Sequence, residues 1–304
     1  MKQFLLLFFC VLLLFSACSR RQPNAQDGSQ SAPPLIAVSI APQAWFVSRI
    51  GGDNVRTLVL AGQGQNPHSY EPSARQLQSL STARAWILSG AEFEISLLPK
   101  IKRLFPSLPI ADGTAGVVFR ELEEDEADHD VHSPHNIDRH TWLGSEPAKI
   151  LAAHIRDTLS LIDPAGTEQY AAHYETLVRE IDAEFAALRI ELAPLRGRNV
   201  FVYHPAFGYF LDEFGIRQQA VETGGKEPGP RDLSRLIALA KQEQAAAIFV
   251  QAQFPVNAAK TVADAVGAEL ISLDPLAGDW LANIRLMGEA LKAAANSGGE
   301  EEKQ

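Results

Sequence analysis

The regular alternation of short apolar runs with helix-forming segments is the feature that most restricts the fold of this chain. The β-rich runs lie at 35–40, 54–60, 85–89, 199–203, 246–250 and 269–273. Each of the first five is followed by an amphipathic or helix-compatible segment. A strand, a helix and a second strand in succession place the two strands parallel. The sequence therefore predicts an α/β protein with mainly parallel sheets flanked by helices.

One long amphipathic segment interrupts this alternation. Asp163 and Pro164 supply an N-cap and a proline at the first helical position, and Pro194 follows the last turn. Apolar residues recur at spacings of three and four between these ends, and the helix is a rod of roughly 40 Å. This pattern predicts two lobes with a cleft between them, joined by one long rigid linking helix. The predicted N-terminal lobe, linking helix and C-terminal lobe are 35–162, 163–196 and 197–297.

The N-terminal residues predict export and a membrane anchor. An apolar run from Phe4 to Phe15 follows Lys2, and it is shorter than the roughly 20 residues that span a bilayer. It is typical of a secretory signal peptide at 1–17. "FSAC" is similar to a bacterial lipobox, which predicts lipid attachment to Cys18. Cleavage without lipidation is the alternative.

The cysteine content and the net charge restrict what the chain can bind. The mature chain would have no cysteine for a disulfide or a metal, because Cys10 leaves with the signal and Cys18 is acylated. A net charge of −10 argues against nucleic acid. Polar residues at 18–34 and 298–304 predict a flexible tether and a disordered tail. We expect a monomer held on the periplasmic or cell-surface side of a membrane.

Histidine is concentrated in "HDVHSPHNIDRH" at 129–140, which holds four of the eight histidines. Elsewhere His68, His204 and Asp274 each follow a predicted strand, where open α/β sheets place ligand sites. His140 lies in a loop before a predicted helix. Three imidazoles and a carboxylate suit a divalent metal, zinc first. Their separations have no signature of their own, and hydrogen-bonded loop histidines are the alternative.

At these residues the chain resembles the zinc and manganese solute-binding proteins of ABC transporters, the ZnuA- and TroA-like family. The resemblance runs from about Ile36 to Ala293 and includes several blocks in the family's order. These are "VSIAPQAWFVSRIGGDNV", "NPHSYEPSARQLQSL", "GAEFE", "RHTWLGSEPAKI", "VYHPAFGYFLDEFG", "GGKEPGPRDL" and "LDPL". The family fold, two lobes with a rigid linking helix, is the one that the residue pattern predicts.

The resemblance also implies a ligand set. His68 matches the first ligand, in a proline-histidine-aromatic loop, and His140 matches the second, where Arg139 replaces the usual proline. His204 matches the third ligand. The fourth is an acid near Asp274, at a position that varies in the family and that some zinc receptors leave to water or to another carboxylate.

The family's zinc members often have an acidic, histidine-rich insertion before the second ligand, which residues 121–139 resemble. The histidines of this loop would catch zinc weakly as an auxiliary site; the alternative is a solvated insertion without a role. They are His129, His132 and His135. Glu71, Glu92 and Glu94 are candidates for partners outside the ligand set, whereas His154 and His173 lie on predicted helices and are expected to be ordinary.

The implied function is capture of Zn²⁺ and its delivery to an ABC permease and its ATPase for import, without catalysis. Three nitrogen donors favour zinc over harder Mn²⁺ or iron, which are the alternatives within the same transporter class. An exported zinc hydrolase is a more distant alternative, and the chain has no HExxH or GxSxG motif to support it. A third possibility, an adhesin-like surface protein, rests only on the naming of some relatives.

Overall fold

The computed structural model describes residues 32–122, 137–222 and 228–300, without the side chains of 297–300. The described residues from Pro33 onward belong to one compact unit. The signal peptide, the lipidation site Cys18 and the loop residues His129, His132 and His135 lie outside the described ranges.

The first lobe is a four-stranded parallel sheet in the order β2-β1-β3-β4. Its elements are β1 (Leu35–Ile40), α1 (Ala41–Gly51), β2 (Arg56–Ala61), α2 (Ala74–Leu80), β3 (Ala85–Leu88), α3 (Glu92–Leu104) and β4 (Ile110–Asp112). The run "LIAVSI" is nearly continuous in apolar residues because β1 is an inner strand buried on both faces. Ser73 caps α2 by accepting from the backbone of Gln76.

Two helices follow, α4 (Ser145–Ile162) and α5 (Thr167–Glu191). The long helix α5 begins four residues after the predicted N-cap Asp163, because Pro164–Gly166 form a 3-10 turn first. Asp163 still contributes at this end, since its carboxylate accepts a hydrogen bond from the Tyr170 hydroxyl at 2.7 Å.

The second lobe repeats the architecture with the strand order β6-β5-β7-β8, again all parallel. Its elements are β5 (Asn199–Val202), α6 (Gly208–Asp212), β6 (Arg217–Ala220), α7 (Pro230–Gln242), β7 (Ala247–Val250), α8 (Asn257–Val266), β8 (Glu269–Ser272) and α9 (Trp280–Glu300). The predicted two-lobed α/β fold with a long helix is therefore confirmed. Helix α9 ends at Glu300, within the range 298–304 for which a disordered tail stays a prediction.

Helix α5 supplies the centre of a hydrophobic core that both lobes share. Phe185 on α5 is fully buried and packs against Phe210, Phe214 and Trp280 of the second lobe. The same core contains the inner strands of the first lobe, such as β1. Ion pairs also join α5 to α1, α4 and α9: Arg49–Glu180, Lys149–Asp182 and Arg285–Glu184. Among the described residues, no helix combines the length and the apolar character needed to cross a membrane.

Candidate metal centre

His68 is presented by the loop that follows β2. Its backbone N–H donates to Asn66 Oδ1 at 2.9 Å, a local turn that holds the residue beyond the end of the strand. The ring Nδ1 lies 2.8 Å from Oε2 of Glu92, the first residue of α3. Glu92 itself follows β3, so two neighbouring strand ends together orient this imidazole.

His140 precedes the 3-10 turn Thr141–Leu143, which leads into α4. Asp138 Oδ1 accepts from the backbone N–H of His140 and lies 2.9 Å from its ring Nδ1. The Asp138 side chain is fully buried, and Arg120 Nη1 lies 3.5 Å from its other oxygen. One carboxylate thus holds both the backbone and the ring of His140.

His204 lies two residues beyond β5. Its backbone is held on both sides by Gln251, whose Oε1 accepts from the His204 N–H and whose Nε2 donates to the His204 carbonyl. The ring Nδ1 lies 2.5 Å from Glu222 Oε1. Phe254 stacks on the imidazole with ring centroids 4.5 Å apart. His204 is therefore the most firmly held of the three.

The three imidazoles direct their Nε2 atoms toward one point. His204 Nε2 lies 2.9 Å from His68 Nε2 and 3.3 Å from His140 Nε2. Within the described ranges this is the one set of three or more potential metal ligands, with ligand atoms no more than 4.8 Å apart. Tetrahedral zinc with Zn–N bonds of 2.0–2.1 Å places its nitrogens about 3.3 Å apart. The observed spacing therefore fits a single ion.

A carboxylate lies against the other nitrogen of each ring: Glu92 at His68, Asp138 at His140 and Glu222 at His204. An ionised carboxylate accepts hydrogen bonds but cannot donate them, so it favours the tautomer that has its proton on Nδ1. The three Nε2 atoms then present lone pairs to one another. This is repulsive unless a cation lies between them, and carboxylate-imidazole pairs of this kind orient metal ligands in proteins.

Burial changes the protonation of the innermost pair. It lowers the pKa of His204 well below the usual 6.5, and the charges of His140 and His68 act in the same direction. It raises the pKa of Glu222 to about 7, against the opposing effect of His68. His204 is therefore neutral at physiological pH, which is the form of histidine that binds metals.

The three rings line one cavity of about 30 Å³, enough for the centres of one or two water-sized species. The rest of its wall is largely apolar and includes Pro67, Trp142, Phe254, Pro275 and Leu276. The side chain of His68 is 31% exposed, against 12% for His140 and 8% for His204. The cavity therefore opens to solvent beside His68.

Asp274, the fourth predicted ligand, lies beyond β8, but its carboxylate is not part of the group of ligand atoms. Its Oδ1 accepts from Gln253 Nε2 and from the Leu276 N–H, each at 2.9 Å. Asn283 Nδ2 donates to the Asp274 carbonyl. The structure brings three of the four predicted residues together, and ligation by Asp274 stays a prediction.

Of the remaining histidines and glutamates that the sequence singled out within the described ranges, one contacts the cluster and the others do not. His154 and His173 bind the carbonyls of Ala115 and Ile50, away from the cluster. Glu92 is an imidazole partner, whereas Glu94 accepts from the backbone of Ser89 and Gly90, and Glu71 is exposed.

Sequence reasoning missed Asp138, Glu222, Gln251 and Gln253. All but Asp138 lie within three residues of the end of β6 or β7, so the same position beyond a strand end that indicated His204 also marks them. Asp138 has a different signal, because it lies two residues before a candidate ligand, a spacing that allows one carboxylate to bind both backbone and ring.

Two parallel-sheet lobes, a long connecting helix and three converging imidazoles define a two-lobed α/β protein with a histidine-lined cleft. The chain belongs to the ZnuA family: the model of this family, described as zinc-uptake complex component A, periplasmic, matches residues 36–294. The family membership predicted from the sequence is thus confirmed.

Curated proteins similar to this chain include zinc-binding and zinc-uptake proteins. The zinc-binding lipoprotein AdcA of Streptococcus pneumoniae is 26% identical over 284 residues, which are 91% of this chain and 56% of AdcA. The high-affinity zinc uptake system protein ZnuA of Yersinia pestis is 26% identical over 266 residues, 81% of this chain and 84% of that protein. The chain spans only about half the length of the AdcA proteins that it matches.

Solved structures agree in fold. A crystal structure of ZnuA has a TM-score of 0.80 and 32% identity, covering 88% of this chain and 99% of the other. A zinc-bound deletion mutant of ZnuA has a TM-score of 0.79 and 32% identity, with 86% and 98% covered. The periplasmic zinc-binding protein TroA of Treponema pallidum, at 21% identity and a TM-score of 0.76, supports the fold alone.

Proposed function

We propose that this protein is an extracytoplasmic receptor that binds one Zn²⁺ at His68, His140 and His204 and delivers it to an ABC transporter permease for import. The observation that carries the proposal is the convergence of three Nε2 atoms whose Nδ1 partners are all carboxylates. Three imidazole Nε2 atoms directed at one point suit a divalent cation. The zinc-binding and zinc-uptake names of AdcA and ZnuA support the same role.

Zinc is preferred over manganese because of the donor set. Mn²⁺ favours more oxygen ligands, whereas the donors that converge here are nitrogens. The carboxylates of Glu92, Asp138 and Glu222 each hold an imidazole and are thereby kept from serving as direct donors. The proposed role is ligation and transfer, without a bond made or broken in a substrate.

We also propose that the mature protein is a lipoprotein acylated at Cys18 and tethered by residues 18–34. The name of AdcA, a lipoprotein, supports this. The loop with His129, His132 and His135 is proposed as an auxiliary zinc-catching segment. Its two ends support the idea, because Glu121 and Ile137 form an antiparallel bridge next to Asp138. Both ends of the segment therefore lie near Asp138, whose carboxylate contacts the ring of His140.

Transfer is proposed to need only small lobe movements. The lobes share one core, and Trp142 Nε1 donates to the Pro275 carbonyl across the cleft at 2.8 Å. Docking on the permease would then release zinc by disturbing the cleft, where His68 is the most exposed of the three imidazoles.

The test is a competition titration of metal-stripped protein with zinc and with manganese, in which bound metal is counted. Wild type is expected to bind one tight zinc equivalent that His204→Ala loses and that the matched control His154→Ala retains. Deletion of residues 123–135 should remove only weaker sites. Tight binding that survives His204→Ala would show that the cleft is not the site and would point to the loop histidines.

Delivery is tested with a candidate ABC permease and its ATPase, reconstituted in membranes. Zinc-loaded wild type should raise the ATPase rate, whereas the metal-free protein and His204→Ala should not. A rate that is indifferent to zinc loading would refute the receptor role.

A further inference from the structure

Gln253, on the loop after β7, lines the same cavity as the three imidazoles. Its Oε1 atom is buried and accepts no hydrogen bond from the described part of the chain. A buried carbonyl oxygen without a donor is destabilising, and native proteins rarely contain one without a reason. The position of Gln253 in the cavity wall indicates that the missing donor belongs to the site.

Asp274 determines which end of the amide can meet that donor. Its Oδ1 lies 2.9 Å from Gln253 Nε2, and because an ionised carboxylate only accepts, the amide must turn its NH2 group toward it. The same Oδ1 accepts from the Leu276 N–H, and Asn283 holds the Asp274 carbonyl. Asp274 is thus anchored at two points, and the Gln253 oxygen is left as the acceptor available to the cavity.

Zinc held by three protein ligands usually keeps a water molecule in its fourth position, and a water bound to a cation is a strong donor. We propose that the Gln253 amide oxygen accepts a hydrogen bond from a water on the fourth position of the bound metal. In this arrangement Asp274 is a positioning residue for the amide, not a ligand. The inference rests on the proposed function, since it requires a metal among His68, His140 and His204.

The chemistry of an amide suits this position. A carboxylate there would bind the ion directly and add a negative charge to the site, whereas a neutral amide stabilises the water and leaves the fourth position exchangeable. A cavity of about 30 Å³ has room for an ion and one water. An exchangeable position is useful to a receptor that must release its cargo to another protein.

The experiment compares wild type, Gln253→Ala and the exposed control Gln242→Ala. Zinc affinity of Gln253→Ala should fall about three- to tenfold, the effect of one lost hydrogen bond. Each protein is also loaded with Co²⁺ and titrated with thiocyanate, with the visible spectrum as the readout. Gln253→Ala should bind this anion more tightly than wild type, because the water loses its acceptor and the entering anion no longer meets a carbonyl oxygen.

Asp274→Asn separates a positioning residue from a ligand. An asparagine Oδ1 can still accept from both Gln253 and the Leu276 N–H, but without the charge it holds the amide less firmly, so Asp274→Asn should lose no more zinc affinity than Gln253→Ala does. A pronounced loss of zinc affinity in Asp274→Asn would identify the aspartate as the ligand and overturn the proposal. So would identical thiocyanate titrations of wild type and Gln253→Ala. A wild type that binds no zinc would instead refute the proposed function, and this inference with it.

Discussion

The Nδ1 atom of His204 lies 2.5 Å from Oε1 of Glu222, the shortest of the three contacts between an imidazole and a carboxylate at the cluster. Both residues are buried, with 6% and 2% of their surface exposed. Burial lowers the pKa of His204 and raises that of Glu222 to about 7. This pair therefore orients the innermost imidazole and also links its protonation to the proposed binding of a cation.

Replacing Glu222 should weaken zinc binding without abolishing it. Glu222→Gln removes the charge that holds Nδ1–H of His204, and loss of such an outer partner typically lowers metal affinity about 10–100-fold. A competition titration with a zinc chelator measures the change. The exposed Glu289→Gln is the matched control and should bind zinc as wild type does. An unaltered affinity in Glu222→Gln would contradict the orienting role.

Zinc binding should release more protons as the pH falls from 8 toward 6. In the free protein Glu222 has a pKa of about 7, so it holds a proton increasingly below that pH. A cation at His204 favours ionised Glu222, and the proton must then leave. Zinc affinity is therefore expected to fall as the pH drops through 7. Calorimetry in buffers of different ionisation heat counts the protons, and Glu222→Gln should release fewer than wild type; equal numbers would refute this linkage.

Trp142 connects the two lobes beside the cavity. Its Nε1 donates to the Pro275 carbonyl at 2.8 Å, and its own carbonyl accepts from Trp280 Nε1 at 2.6 Å. Trp142→Phe leaves the buried Pro275 oxygen without a donor, which should lower the free energy of unfolding by about 1–3 kcal/mol. Urea unfolding of metal-free protein measures this. Stopped-flow zinc dissociation should also be faster, and unchanged values of both would argue against a lobe-fixing contact.

The substitution Phe185→Ala tests whether the two lobes depend on one hydrophobic core, since Phe185 is not part of the candidate site. It is fully buried on α5, so Phe185→Ala should lower the free energy of unfolding by about 3–5 kcal/mol. Ile190 on the same helix is 78% exposed. Ile190→Ala should therefore change the free energy of unfolding by less than about 0.5 kcal/mol. Folded Phe185→Ala should keep the zinc stoichiometry of wild type. A small effect of Phe185→Ala would mean that the lobes do not depend on one core.

Much of the candidate site could be predicted from chain position. His204 and His68 each follow a predicted parallel strand, and the carboxyl ends of such strands are where open α/β sheets place ligand sites. The residues that surround the three histidines without being predicted ligands were harder to predict. Glu222 and Gln253 follow strands in the same way, but whether such a side chain turns inward depends on its packing and not on its place in the sequence.

The sequence by itself determined the α/β class, the two lobes and the long helix, and it singled out the three histidines as candidates, because hydrophobic periodicity and the order of elements along the chain are local properties. Only the tertiary structure decided how these parts serve the site. It paired each imidazole with a carboxylate and placed the carboxylate of Asp274 against Gln253 instead of among the three nitrogens. Such pairings depend on the directions of side chains that are distant in sequence and are oriented by packing of the two lobes around α5.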